Sequence, residues 1–370
     1  MRYFGQKLIL LLVSPLFISF FQSCDPLVNR FEEVQDGVNY TAKHPLNAPD
    51  HADTILVMTW NIRFGIGRAP WFGDSCGDRV LFTDDEILTV LTGIATKIGE
   101  IKPDILLLQE VDVQSKRSAY IDQVQWLLDH TYLNYASYAS DWQAQFIPYQ
   151  GLGRMNSGNC ILSRWRITDS ERIQLPLRGD QDALTKYFYL RNNILKTKIA
   201  LPGVDNFYVL NVHLEAFSTD DTKKRQVDMF QNELDRLTNT HALCISGGDL
   251  NLLPPGSDST DYCDEDKCPG ESFHGANDDP KHKEGSNYLP EITWLQGLYD
   301  TYPCSVPLAA YLSNQRHYFT HTTNPNGFWD RKLDYLITNT RWVPGSDSTH
   351  QEITDLSDHV PVSARWEVPR

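Results

Sequence analysis

The chain has 370 residues with 41% hydrophobic content, enough to fill the core of one large α/β domain or of two small ones, so disorder is not its default state. Its formal net charge of -15 argues against a broad basic footprint for duplex nucleic acid, which relies on many Lys and Arg releasing counterions. It does not exclude a nuclease, because a metal ion in a small cleft supplies positive charge locally.

At the start of the chain, Arg2 and Lys7 precede an almost wholly apolar run from Leu8 to Phe21, too short to span a membrane comfortably and read as an export signal. The run ends at Ser23-Cys24, which resembles the lipobox of bacterial lipoproteins, with Phe21 and Gln22 departing from it. The resemblance implies a signal peptide over residues 1–24, acylation of Cys24, and a lipid-anchored outer-membrane or secreted place in the cell envelope. Residues 25–53 are polar, with Pro26, Pro45 and Pro49, and read as a tether.

From Thr54 onward, short apolar runs alternate with amphipathic stretches in one domain, 54–370. The runs are ILVMTW from Ile55, DILLLQE from Asp104, NCILS from Asn159, FYVLNVHL from Phe207, LCISGGD from Leu243, DYLIT from Asp334 and PVSARW from Pro361. Ile87, Leu88, Leu91, Ile94 and Ile98 recur with helical spacing, ended by Lys102-Pro103, and Val227, Phe230, Leu234 and Leu237 do so later. This pattern predicts a layered α/β domain without choosing between a doubly wound sheet and two packed sheets. Residues 253–290 lack an apolar period and read as a surface insertion. Cys160 and Cys244, in apolar runs, read as buried small hydrophobes, and Cys263 with Cys268, in an acidic loop, as a local disulfide or, more weakly, a zinc site.

Polar residues recur at the ends of the apolar runs: Asn61, Glu110, His213, Asp249 and Asn251, with Asp358-His359 just before the last run. Such residues gather on one rim of a layered α/β protein. Glu110 and Asn61 are hard oxygen donors suited to Mg²⁺, Mn²⁺ or Ca²⁺, although each alone is also an ordinary strand-end or turn residue. His359 and Asp334 offer the parts of an oriented general base. His213 alone reads as a core histidine, and GGDLN alone as a strand-to-loop turn.

Taken in order, TWNIRFG from Thr59, LLLQEVD from Leu106, GNCILSR from Gly158, NVHLE from Asn211, GGDLN from Gly247, RKLDYL from Arg331 and SDHVPV from Ser357 resemble the signature of the endonuclease/exonuclease/phosphatase (DNase I-like) superfamily over about Thr54 to Trp366. The resemblance implies a four-layered αββα sandwich of two packed mixed sheets and a divalent-metal-dependent phosphodiesterase. It implies that Glu110 holds the metal with Asn61 beside it and Asp358 assisting. It further implies that His213 and Asn251 bind the scissile phosphate, that Asp249 positions or activates water, and that His359, oriented by Asp334, is the acid/base partner. Asn156 stands where apurinic endonucleases place a tyrosine, which weakens an abasic-site repair reading.

The expected substrate is a phospholipid head group or small phosphodiester, as for sphingomyelinase-like members. The alternatives are an extracellular DNase or RNase and a non-catalytic binding module. Trp71, Phe72, Trp142, Phe146, Tyr149, Phe319, Phe328 and Trp329 are candidates to line the cleft, with Trp329 expected to reach the substrate. Lys223, Lys224 and Arg225 read as a solvated helix face.

Overall fold

A computed structural model describes residues 27–73, 77–267, 285–324 and 327–369. The apolar run ending at Cys24 and the partner Cys268 lie outside the described residues. No helix among those residues is long and apolar enough to cross a membrane.

Among the described residues, thirteen strands form two sheets. The first runs β12(Ser348–Thr349), β13(Val362–Glu367), β3(Thr54–Asn61), β4(Ile105–Asp112), β6(Gly153–Ser163), β5(Tyr135–Ile147), β2(Val38–Thr41). The second runs β1(Val34–Asp36), β7(Ile167–Gln174), β8(Asn193–Ile199), β9(Phe207–His213), β10(Leu243–Asp249), β11(Asp334–Thr338). The pairs β3·β4 and β9·β10 are parallel and the other pairs antiparallel, so both sheets are mixed.

Strand alternation builds the layers. On β3, Ile55 and Val57 face the second sheet, where they meet Leu195, Val209, Ile245 and Leu336, while Met58 and Trp60 face the other way. There they pack on Ile87, Leu91, Ile94 and Ile98 of α1(Asp84–Ile101). A capping box of Thr83 and Glu86 starts α1, and Lys102, left-handed at φ 60°, ends it before Pro103. On the outer face of the second sheet, Val227, Phe230, Leu234 and Leu237 of α4(Thr222–Asn239) cover Leu210, Val212 and Cys244. The αββα sandwich that the resemblance implies is the observed fold. The shorter helices α2(Gln123–His130) and α3(Ala183–Phe188) precede α4 in the chain.

The polar segment read as a tether is folded from Leu27 onward. Gln145 donates its amide N–H to Leu27, β1 pairs with β7 at the edge of one sheet, and β2 pairs with β5 at the edge of the other. Backbone pairing does not need apolar side chains at a sheet edge, which is why composition missed it. The described parts of 253–290 are not a bare surface loop either, since Leu253, Tyr262 and Tyr288 form a buried cluster with Leu333.

Candidate active site

Parallel strands deliver their C-terminal ends to one rim, and antiparallel neighbours begin there. Asn61 therefore ends β3 and His213 and Asp249 end β9 and β10, whereas Asp334 opens β11 and His359 precedes β13. In register, Asp249 lies beside His213 on one side and Asp334 on the other. This close lateral packing requires glycine just before Asp249. A Cβ on Gly247 would fall 2.2 Å from the Tyr335 carbonyl oxygen, and one on Gly248 1.9 Å from that of Val212.

Glu110 reaches the rim through a bulge: the β4·β6 register shifts between Leu108 and Val111, and Glu110 sits at φ 55°, a left-handed conformation that turns its side chain toward Asn61. Asn61 Nδ2 donates to Glu110 Oε1 at 3.0 Å and to Asp249 Oδ2 at 3.1 Å. Two carboxylates thus converge on one neutral amide donor, and their oxygens are of the kind that an oxygen-ligated divalent cation takes. Burial pushes the Glu110 carboxyl above the usual range; His213 opposes this and Asp358 adds to it.

Between Asp334 and Asp249 stands His359. Its Nδ1 is 2.8 Å from Asp334 Oδ2 and its Nε2 3.5 Å from Asp249 Oδ2. Burial alone would depress the imidazole, but Asp334 and then Asp249 hold its protonated form, up to about 10. His213 Nε2 lies 3.5 Å from the same Asp249 oxygen and 3.9 Å from Glu110 Oε1, and these carboxylates raise it against its burial. Asn251, at φ 48°, donates its amide N–H to Asp249 Oδ1 and its Nδ2 to the Leu214 carbonyl. Its own carbonyl accepts from Lys223 Nζ at 2.8 Å, and that ammonium pairs with Glu291 at 2.8 Å. Lys223 is therefore a buried brace under the Asp249–Asn251 turn and not part of a solvated face, while Lys224 and Arg225 remain outward.

Asp358 turns to Arg63 Nε, 3.2 Å away. Burial works against its charge, but Arg63, with His359 and His321, brings its carboxyl down to about 2. Sequence reasoning missed three residues here. Arg63 lies two positions past Asn61, and its φ of 45° followed by 47° at Phe64 makes a tight left-handed turn. Asp141 is the extra residue of a bulge between Ser140 and Trp142, accepts from Asn193 at its backbone N–H (3.1 Å) and Nδ2 (2.6 Å), and is pushed by burial up to about 7. His321 is brought against His359 by backbone bridging; burial first, and then His359, lowers it well below the usual range. Only TWNIRFG and RKLDYL, the motifs nearest to Arg63 and His321, hinted at two of these neighbourhoods.

These groups floor a cleft of about 250 Å³ whose walls include Phe64, Trp71, Trp142, Tyr189 and the exposed Phe217. Arg117 is buried behind that wall, stacked 3.4 Å from the Phe64 ring centre and paired with Asp112 at 2.9 Å. On the opposite side Arg331 clamps Asp266 through two 2.8 Å hydrogen bonds, fixing the insertion to the cleft. Trp329 does not line the cleft: it is 5% exposed, and its Nε1 donates to the Gln351 carbonyl while Arg68 covers its ring. Trp71 and Trp142 take the place expected of it.

Residues 58–359 match the model of the Endonuclease/Exonuclease/phosphatase family. Among solved structures, an endonuclease/exonuclease/phosphatase from Beutenbergia cavernae is similar at 17% identity and a TM-score of 0.55, over 86% of this chain and 72% of that one. A functionally unknown conserved protein from Enterococcus faecalis is similar at 14% identity and 0.51, over 85% and 100% of the two chains. An endonuclease/exonuclease/phosphatase from Bacteroides vulgatus is similar at 11% identity and 0.50, over 85% and 99%. These likenesses speak to the fold. No curated protein matches the chain in sequence.

Proposed function

The chain belongs to the Endonuclease/Exonuclease/phosphatase family and is a metal-dependent phosphoric ester hydrolase, and on that premise we propose that it hydrolyses a compact phosphodiester, foremost a phospholipid head group, at the cell envelope. The convergence of Glu110, Asn61, Asp249, His213 and the His359–Asp334 pair on one cleft floor carries this reading. Glu110 and Asn61 would hold a divalent ion of the Mg²⁺, Mn²⁺ or Ca²⁺ type, which when bound offsets the negative charge of the phosphoryl group. His213 and Asn251 bind the phosphoryl oxygens, and Asp249 orients the attacking water and accepts its proton. His359, kept protonated by Asp334, donates to the leaving oxygen. Asp358, read from sequence as assisting the metal, also pairs with Arg63, whose buried guanidinium lines the cleft and offsets phosphate charge.

Substrate size follows from the cleft. Its aromatic walls and the insertion fixed by Asp266 enclose a space suited to a head group or a single splayed nucleotide, and a chain of net charge -15 offers little to a long polyanion. The second reading, an extracellular nuclease, draws on the same walls, because Trp71 and Trp142 can stack a base. The binding-module reading loses ground because Glu110, Asp249 and His359 are all present. The apolar run ending at Cys24 supports a lipid-anchored or secreted location, where tethering concentrates lipid substrates.

The test compares release from a chromogenic diester, sphingomyelin, phosphatidylcholine, single-stranded DNA, RNA and plasmid DNA, in Mg²⁺ and in EDTA. Turnover of the small diester and a phospholipid, abolished by EDTA, is the expected result. Plasmid cleavage at ~150 mM salt with no turnover of any small diester or lipid would reverse the order of the two readings.

A further inference from the structure

A short antiparallel bridge sets His321 directly opposite His359: the Val360 amide donates to the Thr320 carbonyl at 2.8 Å and the Thr322 amide to the Asp358 carbonyl at 3.2 Å. Directly opposed residues carry neighbouring side chains, and the two imidazole rings lie 4.3 Å apart. One donor atom each from His321, Asp358 and His359 lies within 4.8 Å of the others. His321 is 8% exposed, and its Nδ1 is a buried nitrogen with no hydrogen-bond partner among the described residues. The reaction proposed above does not use it.

We propose that His321, Asp358 and His359 form a second divalent-ion site, selective for a borderline ion of the Zn²⁺ class, whose occupancy switches the hydrolase off. Two imidazoles and one carboxylate are a donor set that Zn²⁺ or Co²⁺ favours and Mg²⁺ does not, in contrast to the oxygen donors of Asn61 and Glu110. Asp334 already engages His359 Nδ1 at 2.8 Å, the outer-shell carboxylate that directs the other ring nitrogen toward a metal. Arg63, 3.2 Å from Asp358, opposes the ion's charge and keeps binding reversible. An ion here occupies His359 Nε2; the switching half of the proposal therefore rests on the proton-transfer role proposed for that residue, while the binding half does not.

The experiment uses the full-length protein stripped of metal, with Co²⁺ as the spectroscopic probe and Zn²⁺ in calorimetry. One Co²⁺ with a nitrogen-ligand visible band is expected, resisting excess Mg²⁺ and persisting in Glu110→Gln. In His321→Phe and Asp358→Asn, both checked for native circular dichroism, affinity should fall at least ~10-fold. Zn²⁺ should inhibit Mg²⁺-supported turnover, and His321→Phe, scaled to its own Mg²⁺ rate, should need at least ~10-fold more. A band unaffected by His321→Phe, lost in Glu110→Gln or displaced by Mg²⁺ overturns the site. Binding that leaves turnover intact overturns the switch and counts against His359 as the proton donor. A protein that binds Co²⁺ as described yet hydrolyses no diester would overturn the proposed function and leave the site standing.

Discussion

Asp334 contacts His359 Nδ1 at 2.8 Å and is itself fully buried, so its charge acts on the imidazole with little screening. Replacing it by Asn keeps the shape but withdraws the charge that holds the imidazolium. Asp334→Asn should therefore lower kcat by ~100-fold or more with KM little changed, alongside losses of at least ~100-fold in His359→Ala and Glu110→Gln. Steady-state kinetics on a folded Asp334→Asn protein that retains wild-type kcat would remove the acid role from His359. Asp141 bears on stability in a different way. Its carboxyl is pushed by burial from an ordinary 3.8 to about 7, so the folded state binds the extra proton between roughly pH 4 and 7. Stability from this group is present at low pH and lost as pH rises through that window, by at most ~4 kcal/mol. Asp141→Asn imitates the protonated carboxyl and can still accept from Asn193. Its urea midpoint in EDTA should fall less than wild type's between those limits, and parallel profiles would dismiss the assignment. The residues found from sequence were those that end or open strands, where a polar group interrupts an apolar run. Arg63, Asp141 and His321 escaped because a left-handed turn, a bulge and a backbone bridge placed them, and none of these leaves a periodic trace.

Helices α1 and α4 were legible because each buries one stripe at 3.6-residue spacing on a sheet face. Strands β7 and β5 were not, since ITDSERIQ and the second half of YASYASDWQAQFI carry polar side chains on a partly open face. Lys223 belongs to this scale, because the first turn of α4 supplies the brace under the Asp249–Asn251 turn. It pairs with Glu291 where the two side chains are 0% and 1% exposed. Removing the cation alone takes the countercharge from a buried carboxylate, so Lys223→Met should cost ~3–5 kcal/mol in urea unfolding, whereas the double change with Glu291→Met should recover much of that loss. Equal destabilisation by the single and double variants would mean that the pair is not coupled. Turnover should fall in Lys223→Met as well, since Asn251 loses the ammonium at its carbonyl.

At the scale of the whole molecule, the two sheets are packed through one apolar interface, and the segment before Thr54 adds a strand to an edge of each. Sequence patterning reads that segment as a linker because it is polar, carries Pro26, Pro45 and Pro49, and has strands only three and four residues long, too short to leave a period. Its contribution is nonetheless distributed. Val34–Asp36 pair with Glu171–Ile173, Val38–Thr41 pair with Tyr135–Tyr138, and between them the Gly37 amide donates to the Ser170 carbonyl. The close approach at Gly37, where a Cβ would meet Ser137 Oγ at 2.8 Å and Ser170 Oγ at 2.9 Å, lets one chain cross from one sheet to the other. Phe31 adds a ring 3.8 Å from the buried Arg172 guanidinium. At roughly 0.2–1 kcal/mol for each cross-strand pair, the seven paired positions are worth a few kcal/mol, and their loss also bares β7 and β5 as sheet edges. A protein starting at Leu27 should therefore melt with the full-length chain, whereas one starting at Asp53 should melt ~5–10 °C lower and aggregate on heating. Identical melting of the two truncated proteins would restore the reading of residues 25–53 as a mere tether.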